Sequence, residues 1–92
     1  MRAPGQVRFH VTPALKRALR ATNEQKAFRS YGPHGTVITC DGVSPRVLWV
    51  ALGQRLIEDE PGTSSGSGDI IRCRLRLTQA GHAVLNDRRA RA

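Results

Sequence analysis

Three arginines alternate with apolar residues in the segment Ile-Ile-Arg-Cys-Arg-Leu-Arg-Leu, which spans residues 70–77. Successive side chains of an extended strand point to opposite faces, so Arg72, Arg74 and Arg76 share one face. The apolar face comprises Ile71, Cys73, Leu75 and Leu77. A row of three guanidinium groups suits an anionic partner such as a phosphate backbone, and such contacts carry no sequence information. The alternative is an ordinary hairpin whose polar face is simply hydrated.

A second group of candidate residues lies earlier in the chain, on a predicted helix. Ser44 is suited to cap the helix and Pro45 to occupy its first position. Gly53 is the first residue that can leave the helix in a left-handed conformation. The predicted buried face consists of Val47, Leu48, Ala51 and Leu52. On the exposed face, Arg46 is a candidate for contact with a base edge, and Trp49 for contact with DNA or protein. For Trp49 the alternative is a partly buried core residue.

Composition favours a nucleic acid as the anionic partner. The chain has 92 residues, which is enough for one domain with a single modest core. Fifteen basic residues against seven acidic ones give a net charge of +8. Such an excess points first to nucleic acid and second to an anionic membrane surface. No apolar run approaches the ~20 residues that span a bilayer, and the N-terminus lacks the apolar core of a signal peptide. We therefore predict a cytoplasmic protein.

Other kinds of site find little support in the sequence. Cys40 and Cys73 are too few and too far apart for a disulfide scaffold, and small buried thiols are the simpler interpretation. A zinc site built from these cysteines and His34 lacks ligand spacing. No pairing of nucleophile and base and no glycine-rich phosphate loop is present. The sequence predicts a protein that is not an enzyme and uses no metal or cofactor.

The first part of the chain contains one clear helix. Thr12 and Pro13 mark its start, and Leu15, Ala18, Leu19 and Thr22 recur at helical spacing. Its other faces carry the basic residues Lys16, Arg17 and Arg20, which are candidates for phosphate contact. Asn23 is expected to cap a further helical turn that buries Phe28 and Tyr31. The β-branched segment 36–40 predicts a strand.

The second part is expected to form a hairpin followed by a last helix. Residues 54–58 should pair with residues 70–77 in antiparallel fashion. The Gly/Ser/Asp-rich segment 59–69 has no apolar anchor, which predicts a mobile loop. Thr78 should cap a short helix that ends near Leu85. We predict loose tails at residues 1–6 and 87–92, the second of them basic, and an extended segment at residues 7–11.

Three segments resemble small winged helix-turn-helix DNA-binding regulators of bacteria and phages. The segment Gly-Val-Ser-Pro-Arg at 42–46 resembles the turn before a recognition helix. Residues 52–58 resemble the exit from that helix into the hairpin, which in this family is called the wing. The segment Arg-Leu-Thr-Gln-Ala-Gly-His-Ala-Val-Leu at 76–85 is similar to the segment that follows the wing. The resemblance covers about residues 12–86.

This resemblance implies a single α+β domain over residues 1–92, with a winged helix-like fold. Three short helices would accompany an antiparallel sheet of two to three strands. The family's recognition helix enters a major groove while the wing follows the neighbouring backbone. Carried over, Arg46 and Trp49 would lie on the recognition helix, and Arg72, Arg74 and Arg76 on the wing. The implied function is transcription regulation through double-stranded DNA, in the manner of phage or plasmid regulators.

Two other functions fit the same residues. The apolar surface of Trp49 and Val50 could hold a protein partner or a second copy of the chain on the same fold. The basic face could bind structured RNA. Four acidic residues at the wing tip would be repelled by phosphate, namely Glu58, Asp59, Glu60 and Asp69.

Overall fold

The computed structural model describes residues 11–86, so the tails predicted at 1–6 and 87–92 and nearly all of the extended segment 7–11 lie outside it. Its elements are α1 (Pro13–Asn23), β1 (Ala27–Gly32), β2 (Gly35–Cys40), α2 (Pro45–Gly53), β3 (Ile57–Asp59), β4 (Ser65–Ser67), β5 (Ile70–Leu77) and α3 (Gln79–Asn86). The predicted α+β class with three helices is confirmed across these residues. The sheet is larger than expected, because it has five antiparallel strands.

Each helix begins where a Ser or Thr side chain can accept a backbone N–H of the first turn. The observed pairs are Thr12 Oγ1 with the N–H of Leu15 (3.1 Å), Ser44 Oγ with that of Arg46 (3.3 Å) and Thr78 Oγ1 with that of Gly81 (3.0 Å). Proline occupies the first turn of α1 and of α2, where its missing N–H leaves no helical hydrogen bond unmade. The three predicted helix starts are therefore confirmed.

The end of α2 differs from the prediction. Gly53 is still helical, and Arg55 is the residue that adopts the left-handed conformation, with φ of 60°. The N–H of Leu56 bonds to the carbonyl of Ala51 at 2.9 Å, which is the six-to-one hydrogen bond of a Schellman motif. α1 ends in the same way, with Gln25 at φ of 66°. Both helices thus end on long polar residues, a position where glycine is the usual choice.

β5 is the central strand of the sheet. The strand order is β2, β1, β5, β3, and β4 also pairs with β5. β1 lies along one edge of β5, while β3 and β4 share the other edge. The predicted hairpin is confirmed, with Ile57 opposite Leu77 and Asp59 opposite Leu75, although its first strand starts at residue 57 instead of 54.

The helical turn predicted between residues 23 and 31 is wrong, because residues 27–32 form β1. Phe28 and Tyr31 are three residues apart, which imitates one turn of a helix, but in the strand they lie on opposite faces. Phe28 is opposite Arg74 and Tyr31 is opposite Ile71 on β5. A turn at residues 33–34 joins β1 to β2. The strand predicted at 36–40 is confirmed as β2.

The helices pack on one face of the sheet and form the core there. Leu48 and Ala51 of α2 are buried as predicted, while Val47 and Leu52 are half-buried. The core cluster comprises Leu15, Ala18, Leu19, Ala27, Ile38, Leu48, Ala51, Leu56, Ile57, Leu75 and Leu77. Within residues 11–86 no helix covers the opposite face, which we call the open face of the sheet.

The segment predicted as an unanchored loop at 59–69 is partly ordered. Thr63 Oγ1 accepts a hydrogen bond from the backbone N–H of Arg74 at 3.1 Å and donates to the carbonyl of Glu60 at 2.7 Å. Residues 65–67 form β4 and pair with residues 70–72 of β5. The absence of apolar anchors led to the wrong prediction, because polar side-chain and backbone bonds hold the segment.

Candidate nucleic-acid interface

The open face of the sheet carries Arg72, Arg74 and Arg76, as the alternation predicted. Two of them have acidic partners on the neighbouring chain segment. Arg76 Nε donates to Glu58 Oε2 at 2.8 Å, because the strand register places these residues opposite each other. Arg74 Nε lies 3.6 Å from Glu60 Oε1, and its Nη1 donates to Gln25 Oε1 at 2.8 Å. Two of the three positive charges in this row therefore have a carboxylate partner within the molecule.

Arg72 is the member of the row that has no acidic partner within the described residues. Its guanidinium carbon lies 4.0 Å from the centre of the Phe28 ring, in a cation–π contact. Within the described residues, no hydrogen bond or ion pair occupies its N–H edges. Arg72 is exposed, so an anion can reach these edges.

The core side of the same strands holds a polar cluster that the sequence did not predict. Arg29 Nη2 donates to Asp59 Oδ2 at 3.0 Å, Arg29 Nε donates to the Tyr31 hydroxyl at 2.6 Å, and that hydroxyl donates to Asp59. Burial and then the bond to Asp59 raise the pKa of Tyr31. Burial lowers the pKa of Arg29, but the bonds to Asp59 and Tyr31 outweigh it and the pKa is raised. The cluster ties β1 to β3 across β5.

Three of the four acids expected to repel phosphate are thus engaged with arginines. Glu58, Asp59 and Glu60 pair with Arg76, Arg29 and Arg74 respectively. Their charges offset those arginines. The hairpin of β3 and β5 is consequently closer to neutral than its basic row alone suggests.

The basic residues of α1 fall into two groups. Lys16 is half-buried and its Nζ donates to the carbonyl of Leu85 at 3.2 Å, which joins α1 to α3. Arg17 and Arg20 are exposed, and neither makes a hydrogen bond or ion pair with any part of the chain that the structure describes. Their positive charges therefore have no counterion within residues 11–86.

Arg17 lies close to the start of α2. It lines a small cleft together with Ser44, the cap of α2, and Val47 in the first turns of that helix. Arg46 is exposed at the second position of α2, and its guanidinium has no acidic partner among residues 11–86. Arg17 and Arg46 thus lie on neighbouring helices near one end of α2.

Trp49 and Val50 follow Arg46 at helical spacings of three and four residues, which places all three on one face of α2. Trp49 is 41% exposed and Val50 is 50% exposed. Trp49 is therefore partly exposed, and it is not among the residues of the core cluster. We call the surface formed by Arg17, Arg20, Arg46, Trp49 and Val50 the helix surface.

Among residues 11–86, neither cysteine belongs to a metal-binding cluster. Cys40 is half-buried, and burial together with the nearby Asp41 raises the pKa of its thiol, which disfavours the reactive thiolate. Cys73 is buried beside Thr63. Across residues 11–86, no group of three or more His, Cys, Asp or Glu side chains is placed to hold a metal ion. In the same residues, no helix has both the length and the apolar character needed to cross a membrane.

Comparison with known proteins gave no match, whether to a protein-family model, to a curated protein or to a solved structure. The winged-helix resemblance accordingly rests on the residues at 42–46, 52–58 and 76–85 alone. The strand β2 also precedes α2 where a helix-turn-helix motif has a helix.

Proposed function

We propose that this protein is a non-enzymatic DNA-binding regulator and that the helix surface is its main contact with the duplex. The observation that carries the proposal is the unequal pairing of its arginines. Arg17, Arg20 and Arg46 lack acidic partners among the described residues, whereas Arg74 and Arg76 on the sheet each have one. The free guanidinium groups gather on two adjacent helices.

Electrostatics favours the unpaired arginines as phosphate ligands. A cation gains affinity for DNA by releasing counterions condensed on the phosphates. To bind DNA, an arginine that already contacts a carboxylate must break that contact or place the carboxylate's negative charge close to the phosphate. Arg76, bound to Glu58 at 2.8 Å, is therefore a weaker phosphate ligand than Arg17 or Arg46.

In the proposed complex, α2 supplies the base contact. Arg46 is the candidate for a bidentate contact with guanine, because it is exposed in the first turn of α2. Arg17 and Arg20 of α1 are the candidate phosphate ligands, since both are exposed and have no described acidic partner. Arg72 also has none, but it lies on the open face of the sheet, on the other side of the core. Entry of α2 into a major groove does not require a helix before α2.

The test is a titration of duplex DNA at several salt concentrations. If the three arginines of the helix surface all contact phosphates, log K should fall with log salt at a slope of roughly −2 to −3. Arg17→Ala should make this slope less steep by about one. Arg76→Ala is the matched control, because it removes a guanidinium group whose charge Glu58 already offsets, and its slope should stay close to the parent's. No binding at low salt would rule out nucleic acid as the partner, and a larger effect of Arg76→Ala would move the interface to the sheet.

Arg46→Ala tests sequence recognition in the same experiment. If Arg46 contacts a guanine, its loss should cost about 1–3 kcal/mol on a selected site and much less on random DNA. Equal losses on both would assign Arg46 to phosphate contact only. A matching titration with structured RNA separates DNA from RNA binding.

A protein partner is the second candidate function, and the exposure of Trp49 and Val50 favours it. An aromatic anchor at a protein interface often costs more than ~2 kcal/mol when truncated. Trp49→Ala would then abolish a protein contact while the arginine variants bind DNA like the parent. That combination would replace the DNA proposal.

A further inference from the structure

The outer edge of β2 is an open hydrogen-bonding edge. β2 lies at the end of the sheet and pairs with β1 on one side, and no other described strand pairs with it. Every second residue of an edge strand directs its N–H and C=O groups away from the sheet. Gly35, Thr36, Val37 and Thr39 are exposed, so the described elements leave most of the strand uncovered.

β2 lacks the features that normally protect an edge strand from pairing with another chain. Native edges are usually short, charged, interrupted by proline or bulged. β2 has six residues, Gly-Thr-Val-Ile-Thr-Cys, with three β-branched types and no charge or proline. Its pairing with β1 continues without interruption from Gly35 to Cys40, so no bulge bends the edge away. Val37 at the middle of the edge is 58% exposed.

The distribution of charge points to a second copy of this chain as the occupant. Two molecules with a net charge of +8 repel each other unless the contact lies in a neutral region. Residues 30–40, which include all of β2, form the longest run in the sequence without a charged side chain. The same end of the sheet adds a small apolar pocket lined by Tyr31, Val37 and Ile70. The neutral region and the open edge therefore coincide.

We propose that two copies of the protein associate through antiparallel pairing of their β2 strands. A two-fold axis makes such an interface self-complementary, since each copy offers the same edge to the other. Backbone hydrogen bonds would supply most of the contact, as in other cases of strand addition. On the open face, Val37 of each copy would lie near the two-fold axis. The two five-stranded sheets would join into one.

Sedimentation or light scattering tests the proposal without DNA, so its outcome does not depend on the proposed function. We expect the full chain to convert from monomer to dimer between about 1 and 200 μM. Val37→Lys should weaken the dimer by at least about tenfold, because the two-fold axis brings two like charges together. Ala83→Lys is the matched control, since Ala83 is also exposed but lies on α3. It should dimerise like the parent.

Thr39→Lys provides a second substitution on the same exposed edge if Val37→Lys does not fold. Amide exchange supplies an independent readout, because outward-facing amides of β2 should become protected only as the dimer forms. A monomeric parent across this range would overturn the proposal, as would a dimer that the lysines on β2 leave unchanged. Protection of the β2 edge in the dilute monomer would also overturn it, because the edge would then already be covered within one chain.

Discussion

Gly81 lies on α3 where this helix passes over the carbonyl of Leu56. A Cβ atom at position 81 would sit 2.0 Å from that carbonyl oxygen, which is much closer than two atoms can approach. The N–H of Thr78 also bonds to the carbonyl of Leu56 at 3.0 Å. One backbone carbonyl therefore fixes both the start of α3 and its distance from the end of α2.

We expect Gly81→Ala to destabilise the fold, because α3 or the backbone at Leu56 must shift to make room. Overpacking of this kind costs about 1–3 kcal/mol. Gly53→Ala is the matched control. A Cβ at Gly53 meets no atom within 4 Å, and glycine in a helix is destabilising by roughly 0.5–1 kcal/mol relative to alanine. Urea denaturation should thus move the two midpoints in opposite directions. A neutral or stabilising Gly81→Ala would show that α3 does not approach Leu56 so closely.

Individual residues also show which features of the candidate site could be predicted from the sequence and which could not. The alternation of residues 70–77 predicted the shared face of Arg72, Arg74 and Arg76, because side-chain direction in a strand depends only on local geometry. The partners Glu58 and Glu60 depend on strand register and loop path, which that alternation does not contain. The sequence therefore predicted correctly that the three arginines share one face. It did not predict that Arg74 and Arg76 have acidic partners.

At the scale of elements, helices were predicted well and one strand was missed. Caps such as Thr12 and Ser44 act within three residues, so the sequence shows them directly. β1 was missed because Arg29 lies on the core side of its strand, where an apolar residue is expected. Its ion pair with Asp59, thirty residues away, compensates for this placement and is invisible to any local pattern. The end of α2 also depends on contacts distant in sequence. Arg55, and not Gly53, adopts the left-handed conformation, and Leu56, the next residue, is buried in the core.

The segment between β3 and β4 gives a prediction at this scale. Thr63→Val keeps the shape of the side chain but removes the hydrogen bonds of its hydroxyl with Glu60, Arg74 and Cys73, and leaves the N–H of Arg74 without that acceptor. We expect a loss of about 1–2 kcal/mol and faster amide exchange in residues 60–67. Ser64→Ala is the control, because Ser64 is exposed and next in sequence. If Thr63→Val matched this control, the segment would be the unanchored loop that its composition suggested.

For the whole molecule, the position of the charge matters more than its amount. Residues 11–86 contain ten basic and six acidic side chains, so they carry only half of the net charge of +8. Within them, three acidic residues lie in or next to β3. These residues, Glu58, Asp59 and Glu60, pair with arginines of the sheet. The helices keep unpaired arginines on the other side of the core. The pairing therefore gives a nearly neutral sheet and a positive helix surface.

The fluorescence of Trp49 can show which of these two sides contacts DNA. It is the only tryptophan, it is 41% exposed, and it follows Arg46 by three residues on α2. Duplex DNA on the helix surface should remove Trp49 from water, so its emission should shift to shorter wavelength and acrylamide should quench it less. DNA on the open face of the sheet would leave both properties unchanged.

The arginine variants make this measurement decisive. At a fixed DNA concentration chosen for partial binding, the double substitution of Arg17 and Arg46 by alanine should reduce the Trp49 response, since fewer molecules bind. Arg76→Ala should retain it, because Glu58 already offsets that charge. If DNA bound while Trp49 stayed equally accessible, and Arg76→Ala weakened that binding, the sheet would be the interface. The Arg76–Glu58 pair would then have to open on binding, and the apparent affinity would include the cost of separating it.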